Sequence, residues 1–442
     1  MTLTEAYLAV VAERGPLASE IKTKALPSVT DTMYLGRCLS RPAFLAGPDL
    51  HQLSGDLEVL HSALAGLPDR SFGGDLAAFA RAAGLAEPQI RAVVRGRGLT
   101  PSRLARADVY QDENGFRLLE INIGSTAGGI ENTVLNRAML EHSFIAEFVA
   151  EHQLTYVETL EEFAQTMLIE CKVPTGTRPF VVVTDMPGAF ETLEQHLWQN
   201  ARLLAPFGID LEPWPLDALD YHDDRVWVGD RLVDIVYRLF MVGDLLSADG
   251  PDLLEPILRA VERGQVSIFS PLDSELFGSK GALALVSDEA YRDFYTEEDL
   301  AALDRILPWT RMVRPGPVTV DGAQVDLTAY ALANRDDLVL KPCAQFGGSG
   351  VVPGWQTDVD AWAGHLSEAM DSAYVLQRRI RPVAELFPTD DGVEPWMLSW
   401  GAFTGARGYA GMIVRGSLEL AGGVVNMATG ATGTCCFHED WR

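Results

Sequence analysis

An uninterrupted apolar run, Phe180–Thr184, constrains the fold of this chain more than any other segment. A strand with one solvated face alternates apolar and polar residues, whereas a strand buried on both faces of a parallel sheet is apolar throughout. A helix over about 188–206 and strands near 209–214 and 232–237 follow in the sequence. This β-α-β order predicts a small Rossmann-like domain at about 176–270.

The composition indicates a globular protein with a large excess of negative charge. Its 442 residues are too many for one simple core, so we expect two or three lobes. Hydrophobic residues make up 47% and charged residues 22% of the chain, as in ordinary globular proteins. The net charge of −27 argues against binding to nucleic acid or to an anionic membrane. An anionic ligand would therefore need local basic side chains and backbone amides.

Cysteine usage and the lack of long apolar segments predict a cytoplasmic protein. The five cysteines are odd in number and lack the spacing of a metal site, which suits a reducing compartment. The adjacent Cys435 and Cys436 could form a vicinal disulfide, but two thiols are favoured. No run of about 18 or more apolar residues is present, so no membrane-spanning helix is expected. The N-terminal apolar stretch is too short and too acidic for a signal peptide.

A β-hairpin is predicted at 104–122, where apolar-rich strands flank the turn sequence at 112–115. Glu120 and Asn122 lie two apart on its second strand and therefore face the same way. Asp108 lies on the first strand. Carboxylate and amide oxygens are the ligands that hard cations such as Mg²⁺ prefer. The three residues form a candidate magnesium site, and the alternative is a solvated hairpin with an acidic edge.

The register of this hairpin decides whether Asp108 joins the other two residues. A two-residue Asn-Gly turn would pair Asp108 with Ile121 and place it on the opposite face. A three-residue loop, 113–115, would pair Asp108 with Glu120, with Cβ atoms about 5 Å apart. We predict the three-residue loop, because a metal site needs both carboxylates on one face. Two carboxylates this close would repel each other without a cation, which favours a metal.

A lysine on a strand, followed by glycines, forms a second candidate site. Lys341 lies near the end of the apolar run 338–342 and is followed by Gly347, Gly348, Ser349 and Gly350. An ammonium group suits phosphate oxygens, and glycines allow backbone amides to approach them. The order is not that of a Walker A motif, where the lysine follows the glycines, and no dinucleotide fingerprint is present. The alternative is an ordinary hairpin turn.

Two further segments could contribute to a ligand site. A predicted strand at 374–377 ends in Gln377, whose amide could face an adenine edge or simply solvent. The run 124–129 could form an anion-binding nest above the metal site or a plain loop, and the run 426–433 could line an acceptor pocket.

Taken together, these segments resemble the ATP-grasp superfamily. More narrowly, they resemble its circularly permuted branch, which includes the synthetase domain of glutathionylspermidine synthase. The acidic ligands precede the lysine and the glycine loop, which is the permuted order. The resemblance covers roughly residues 100–430 and extends to segments at 234–238, 279–283 and 411–415. The glycine loop lacks the Arg-Glu-Gly of glutathionylspermidine synthase and 123–129 lacks its D-T-P-T, so a spermidine substrate is not implied.

The resemblance implies an α+β / α/β protein with a circularly permuted ATP-grasp fold and a small Rossmann-like pre-ATP-grasp domain. Residues 1–175 would form a helical N-terminal region and the metal-binding hairpin of the palm. Residues 176–270 would form the Rossmann-like domain. Residues 271–380 would form the nucleotide-binding lobe with a glycine-rich lid, and 381–442 would return to the palm.

The resemblance also implies roles for individual residues. The roles fall into three groups: catalytic Arg106, Arg238 and Arg415; nucleotide-binding Lys280, Lys341, Gly347, Gly348, Ser349, Gly350 and Gln377; and metal-binding Asp108, Glu120 and Asn122. Within these groups, Arg106 would contact the γ-phosphate, and Arg238 and Arg415 would bind the donor carboxylate. Either of the last two arginines could instead form a structural ion pair.

The implied activity is that of an ADP-forming carboxylate–amine ligase that uses ATP and Mg²⁺. It would join amino acids or short peptides through an acylphosphate, in small-molecule or peptide natural-product biosynthesis. The alternatives are an ATP-grasp kinase that phosphorylates a hydroxyl group and a degenerate nucleotide-binding scaffold. The expected partners are small molecules rather than nucleic acid or membrane, and a homo-oligomer is compatible with the sequence.

Overall fold

Five β-sheets organise the described residues of the computed structural model, which are 1–25, 37–98, 100–246, 250–345, 348–418, 425 and 430–442. Three sheets have four or more strands: a mixed sheet of seven, a parallel sheet of four and an antiparallel sheet of four. The two smaller sheets consist of Pro317–Val320 with Ala323–Asp326, and of Asp220–His222, Arg225–Val228 and Arg231–Leu232. The chain therefore has a mixed α+β fold.

The seven-stranded sheet joins segments that are far apart in sequence. Its strands follow the order Ala43–Leu45, Thr432–His438, Gly408–Ser417, Gly392–Gly405, Ala105–Asp112 and Gly115–Ile123, and Ala384–Thr389 pairs with Gly392–Gly405 beside this path. The strand pairing therefore joins the predicted hairpin to the C-terminal strands.

The predicted hairpin is present, with a different loop. Asp108 pairs with Glu120, as predicted, but Asp112 pairs with Gly115, so the loop has two residues and the predicted three-residue loop is wrong. The register shifts by one residue beyond Asp108, and this β-bulge leaves Leu119 without a partner on the opposite strand. With a two-residue loop and no bulge, Asp108 would pair with Leu119. The bulge therefore restores the pairing of Asp108 with Glu120.

The parallel sheet contains the apolar run that the sequence singles out. Its strand order is Ser267–Phe269, Ile235–Arg238, Phe180–Thr184 and Asp210–Pro213, and each neighbouring pair is parallel. All five residues of Phe180–Thr184 are buried, which explains why the run has no polar alternation. These strands confirm the predicted β-α-β order. The assignment of a separate Rossmann-like domain and the four domain boundaries stay predictions.

The antiparallel four-stranded sheet carries Lys341. Its order is Thr310–Met312, Tyr374–Arg378, Leu338–Pro342 and Val352–Pro353. Leu338, Leu340 and Leu376 pack from this sheet against Trp362 of the helix Val359–Met370. Lys341 faces away from that core, because side chains alternate along a strand.

The longest helix shows why these residues form a helix and where it ends. The longest, Gly47–Phe72, buries Leu50, Leu53, Leu57 and Leu60 at the spacing of one helical face. It ends before Gly73, whose φ of +60° suits a residue without Cβ. The other helices are Leu3–Arg14, Ala18–Ala25, Leu76–Ala82, Glu87–Arg95, Thr133–Leu140, Ser143–Glu151, Thr159–Glu170, Pro187–Leu204, Val242–Leu245, Gly250–Glu262, Ser274–Phe277, Lys280–Ser287, Glu297–Ile306, Leu327–Ala333 and Val359–Met370.

Short 3₁₀ turns link several of these elements, and they are Gly124–Thr126, Ile130–Asn132, Ala205–Phe207, Leu216–Ala218, Glu289–Tyr291, Arg335–Asp337 and Gly354–Gln356. Across the described part of the chain, no helix is both long enough and apolar enough to cross a bilayer.

Candidate active site

One cavity of about 310 Å³, between the seven-stranded and the antiparallel sheet, contains nine of the thirteen predicted site residues. These nine are Arg106, Asp108, Glu120, Asn122, Lys280, Lys341, Gly348, Gln377 and Arg415. The acidic hairpin and the strand that carries Lys341, which are far apart in sequence, therefore line the same cavity.

Asp108 lies at the centre of a network of cationic partners. Arg106 donates two hydrogen bonds to its carboxylate, from Nε to Oδ1 at 2.9 Å and from Nη2 to Oδ2 at 3.0 Å. Arg415 Nη2 lies 2.7 Å from Oδ1, and Asn122 Nδ2 donates to Oδ2 at 3.4 Å. Burial opposes ionisation of Asp108, but the two guanidinium groups outweigh it and hold the pKa of this carboxyl below its usual value.

Glu120 has a cationic partner of its own. Lys280 Nζ lies 3.0 Å from Glu120 Oε2 and donates to the Gln345 carbonyl oxygen at 2.8 Å. Lys280 is the first residue of the helix Lys280–Ser287, which Ser279 caps. The repulsion between Asp108 and Glu120 is thus offset by protein cations. Their proximity therefore does not by itself require a metal, and the metal site stays a prediction.

Asp108, Glu120 and Asn122 nevertheless offer the oxygen ligands that magnesium prefers. Asp108 and Glu120 are opposed on neighbouring strands and Asn122 lies two residues further on, so two carboxylates and an amide oxygen share one cavity. Asn122 turns Nδ2 towards Asp108, and its amide oxygen is the ligand it can offer. Among the described residues, no three His, Cys, Asp or Glu side chains come together, so a cation here would depend on this mixed set.

Lys341 is held by the bulge of the hairpin. Its Nζ donates to the Leu119 carbonyl oxygen at 3.0 Å and to Gln377 Oε1 at 2.6 Å. Leu119 is the residue that the bulge leaves unpaired, which directs its carbonyl to this contact. Burial, together with the nearby charge of Lys280, lowers the pKa of Lys341 to about 7, against the opposing effect of Glu120.

Gln377 contacts Lys341 and Thr310 through its side-chain amide. The side chain is 2% exposed; Oε1 accepts from Lys341, and Nε2 donates to Thr310 Oγ1 at 3.2 Å. Both ends of the amide therefore have protein partners, and the contact with an adenine edge stays a prediction.

Arg238 lies outside the cavity and forms a buried ion pair, as in the structural alternative to its predicted role in carboxylate binding. Its side chain is 1% exposed and forms an ion pair with Glu275 at 2.7 Å. Nε donates to the Ser270 carbonyl oxygen at 2.8 Å, and the other nitrogens donate to the carbonyl oxygens of Phe240 and Pro271. These bonds engage Nε, Nη1 and Nη2 with protein acceptors.

The predicted glycine loop contributes to the cavity only in part. Gly348 lines it, whereas Ser349 and Gly350 do not, and Gly347 lies outside the described residues. Gly348 and Gly350 have φ of +79° and +69°, the left-handed region that favours glycine. Of the late run 426–433, residues 426–429 likewise lie outside the described part of the chain.

The sequence analysis missed several residues of the cavity wall. Arg378 and Arg379 follow Gln377 directly, and Arg379 stacks over the Trp355 ring at 4.0 Å. A basic pair at the end of the predicted strand was a usable signal for this position. The apolar part of the wall contains Val339, Val351, Pro353, Trp355 and Ile380.

The wall of the cavity carries the opposite charge from the chain as a whole. Of the residues that the structure describes, six basic ones line it (Arg106, Lys280, Lys341, Arg378, Arg379 and Arg415) against two acidic ones. The chain has 62 acidic and 35 basic side chains. A concentration of positive charge next to an apolar surface suits a ligand with a polyanionic and an apolar part.

The Gly-Ser-Thr-Ala-Gly-Gly run at 124–129 borders a second, smaller cavity. This cavity, of about 140 Å³, lies at the carboxyl ends of the parallel strands and is lined by Ser125, Gly128, Glu131, His196, Asn200 and Tyr237, among others. Arg106 donates to the Gly128 carbonyl oxygen, so one arginine contacts the wall between the two cavities. Open parallel sheets bind ligands at the carboxyl ends of their strands.

Comparison with solved structures gives the fold a known counterpart, a glutathione synthetase-like protein. The glutathione synthetase-like effector GSS30 of Globodera pallida, in its apo form, aligns with a TM-score of 0.59 over 96% of each chain. Their sequences are 14% identical, so the likeness is one of fold. A Methylobacillus flagellatus structure, provisionally designated gamma-glutamylcysteine synthetase, aligns with a TM-score of 0.46 at 10% identity, over 88% of this chain and 87% of that one.

A similar protein is also found by sequence. A Frankia alni protein with the provisional name glutamate–cysteine ligase 2-3 is 30% identical over 252 residues, which cover 55% of this chain and 27% of that protein. The match thus spans about a quarter of the length of this relative. No model of a known protein family matches the chain.

Proposed function

We propose that the chain is an ATP-dependent, ADP-forming carboxylate–amine ligase of the circularly permuted ATP-grasp type. It would join amino acids or short peptides through an acylphosphate, in the biosynthesis of small peptides. The observation that carries this proposal is the single cavity that combines six basic residues, an acidic pair and an apolar wall in a chain of net charge −27. A nucleoside triphosphate needs such local positive charge, because the overall field of the chain repels it.

The comparisons support the same class of reaction. The effector that shares the fold is described as glutathione synthetase-like, and the name of the Frankia relative refers to the joining of glutamate and cysteine. Because the match covers about a quarter of that relative, we adopt from its name only amide-bond formation between amino acids.

The cavity offers separate groups for the parts of a nucleotide. Lys280 and Lys341 would bind phosphate oxygens, and each would exchange a protein partner for the ligand. Val339 and Pro353 belong to the apolar wall beside them, which suits a purine ring. Asp108, Glu120 and Asn122 would hold Mg²⁺, which, when bound, offsets charge on the phosphates.

The arginines would act on the transferring phosphoryl group and on the donor. Arg106 contacts Asp108 and the Gly128 carbonyl oxygen, so its guanidinium is fixed beside the acidic pair. It would stabilise the negative charge that develops during phosphoryl transfer. Arg415 would bind the donor carboxylate, because its planar fork suits two oxygens and its Nε has no protein acceptor within the described residues.

The amine substrate would approach from the smaller cavity beyond Gly124–Gly129. That cavity is separated from the larger one by the loop that Arg106 contacts, which puts it next to the site of the acylphosphate. The acylphosphate must be kept from water, and the glycines at 348 and 350 would let their segment close over it.

The experiment that tests this function is phosphate release with Mg·ATP across amino acids supplied singly and in pairs, with mass spectrometry of the products. Phosphate released only with a pair, together with a product lighter than the pair by one water, is the expected result. Lys341→Met should abolish release, whereas Arg81→Gln, which alters an exposed ion pair elsewhere, should not. A phosphorylated single substrate with ADP would instead establish a kinase. ADP binding without turnover on any substrate would favour a scaffold.

A further inference from the structure

A polar cavity of about 340 Å³ adjoins the candidate active site at Arg378, which lines both. Three arginines and three acidic residues surround it: Arg292, Arg311, Arg378, Glu289, Asp304 and Asp321. Trp309 and Leu307 form an apolar part of its wall. The proposed function assigns no role to this cavity.

Each arginine of this cavity is paired with one of its carboxylates. Arg292 Nη2 lies 2.5 Å from Asp304, Arg378 Nη2 lies 2.9 Å from Asp321, and Arg311 pairs with Glu289. The six formal charges cancel, in contrast to the excess of positive charge in the active site. The cavity therefore has no preference for a polyanion and suits a ligand that carries one charge of each sign.

Two guanidinium donors of the arginines that line this cavity lack acceptors. Arg311 is 2% exposed; its Nη1 donates to the carbonyl oxygen and the hydroxyl of Ser287, both at 2.9 Å. Its Nε and the Nε of Arg292 are buried and have no partner in the described part of the chain. A buried donor without an acceptor is unfavourable, so a ligand carboxylate that draws either guanidinium group towards the cavity would supply the missing acceptor.

The carboxylates of the cavity remain open to a cation. The side chains of Asp304 and Asp321 are 63% and 72% exposed, and that of Glu289 is 46% exposed. A carboxylate has about four lone-pair sites, so each retains acceptors for an ammonium group after pairing with its arginine.

We propose that this cavity binds a zwitterionic α-amino acid with an apolar side chain and that its occupancy changes nucleotide affinity in the active site. The carboxylate of the ligand faces Arg292 and Arg311, its ammonium group faces the acidic residues, and its side chain packs on Trp309. The second half of the proposal rests on the proposed function, since it takes the neighbouring cavity to bind a nucleotide.

A chain of hydrogen bonds connects the two cavities. Ser287 Oγ accepts from Arg311 and, at 3.0 Å, from the backbone N–H of Thr310. Thr310 Oγ1 accepts from Gln377, and Gln377 Oε1 accepts from Lys341. A ligand that repositions Arg311 therefore moves the groups that hold the proposed phosphate-binding lysine.

Titration calorimetry of the full chain without nucleotide tests the binding site. The probes are leucine and phenylalanine, with isopentylamine and 4-methylpentanoate as ligands that carry only one charge. We expect leucine or phenylalanine to bind, the singly charged compounds to bind at least about tenfold more weakly, and Arg292→Gln to weaken binding by about tenfold. Arg81→Gln serves as the control, because it also removes one arginine from an ion pair. No amino-acid binding to the wild type, or unchanged binding in Arg292→Gln, overturns the site.

The affinity for ADP, measured with and without saturating amino acid, tests the coupling. We expect a change of about fivefold or more, with ADP changing the affinity for the amino acid by the same factor. Thr310→Val removes the hydroxyl that accepts from Gln377 Nε2 and should reduce this factor to about one. A wild type that binds both ligands independently overturns the regulatory half. Failure to bind ADP at all overturns both the proposed function and the proposed coupling. The amino-acid site is tested separately, by the calorimetry without nucleotide.

Discussion

Binding of a nucleotide should draw a proton onto Lys341. Burial lowers the pKa of this lysine to about 7 in the free chain. Phosphate oxygens would stabilise the ammonium form and return the pKa towards the ordinary value of about 10.4. At pH 8 the free lysine is then about one-tenth protonated and the bound lysine almost fully so, which gives an uptake of about 0.9 proton per nucleotide.

The sign of the pH dependence follows from this uptake. The complex holds more protons than the free chain, so affinity falls as pH rises above the pKa of the free lysine. With a free pKa of about 7, the affinity for ADP should fall about 50-fold between pH 7 and pH 9, which corresponds to about 2.3 kcal/mol. The phosphates add little to this change, since their last ionisation lies near pH 6.

The assay is titration calorimetry with ADP at pH 8, in buffers of different ionisation enthalpy. The slope of the observed enthalpy against the buffer enthalpy gives the number of protons taken up. Lys341→Arg is the control, because a guanidinium stays charged throughout this range, so its uptake should be close to zero. An uptake near zero in the wild type, or an equal slope in the two proteins, would refute the assignment of Lys341 to the phosphates.

Three further predictions concern other residues of the site. Arg238→Met should lower the free energy of unfolding by about 3–5 kcal/mol in chemical denaturation, because Glu275 is left buried without its cation; unchanged stability with lost activity would restore the catalytic role. Glu120→Gln should raise the Mg²⁺ concentration for half-maximal phosphate release by about tenfold or more, since a carboxylate ligand is lost, and an unaltered magnesium titration would exclude this ligand. Arg415→Lys should raise the KM for the donor carboxylate by about tenfold with a smaller effect on kcat, because the bidentate fork is lost. If the KM for the donor carboxylate is the same in the wild type and in Arg415→Lys, Arg415 is only a structural partner of Asp108.

Strands that are marked by an apolar pattern within their own residues were predicted well from sequence. The strands Phe180–Thr184 and Leu338–Pro342 coincide with the predicted apolar runs. Phe180–Thr184 is apolar because both faces of a parallel sheet are buried, whereas Leu338–Pro342 also contains the charged Lys341. Ala43–Leu45 was missed within a region expected to be helical. Its strand conformation depends on pairing with Thr432–His438, which lies almost 400 residues away.

In the hairpin, the pairing of Asp108 with Glu120 was predicted correctly, although the predicted three-residue loop was wrong. Asp108 pairs with Glu120, but through a two-residue loop and a bulge at Leu119. The bulged carbonyl accepts from Lys341, which lies 222 positions later. No local pattern contains that interaction, so the turn sequence alone could not indicate the bulge.

The roles of the arginines could not be assigned from sequence motifs alone. An arginine at the end of a strand gives the same sequence pattern whether it faces a ligand or a buried carboxylate. Arg238 meets Glu275, and Arg415 meets Asp108 inside the cavity. The difference depends on which side chains the other elements bring close, and it becomes visible only in the folded structure.

The interleaved strands of the seven-stranded sheet have a consequence for synthesis on the ribosome. Ala105–Asp112 pairs with Gly392–Gly405, so this strand presents an open edge until Gly392–Gly405 has been translated. Such an edge can pair with other chains, and long-range pairing of this kind slows folding. We expect nascent chains to depend on chaperones over this interval. Fragments that stop short of Gly392–Gly405 should aggregate and lack nucleotide binding, which would make nucleotide binding a signal that the sheet is complete.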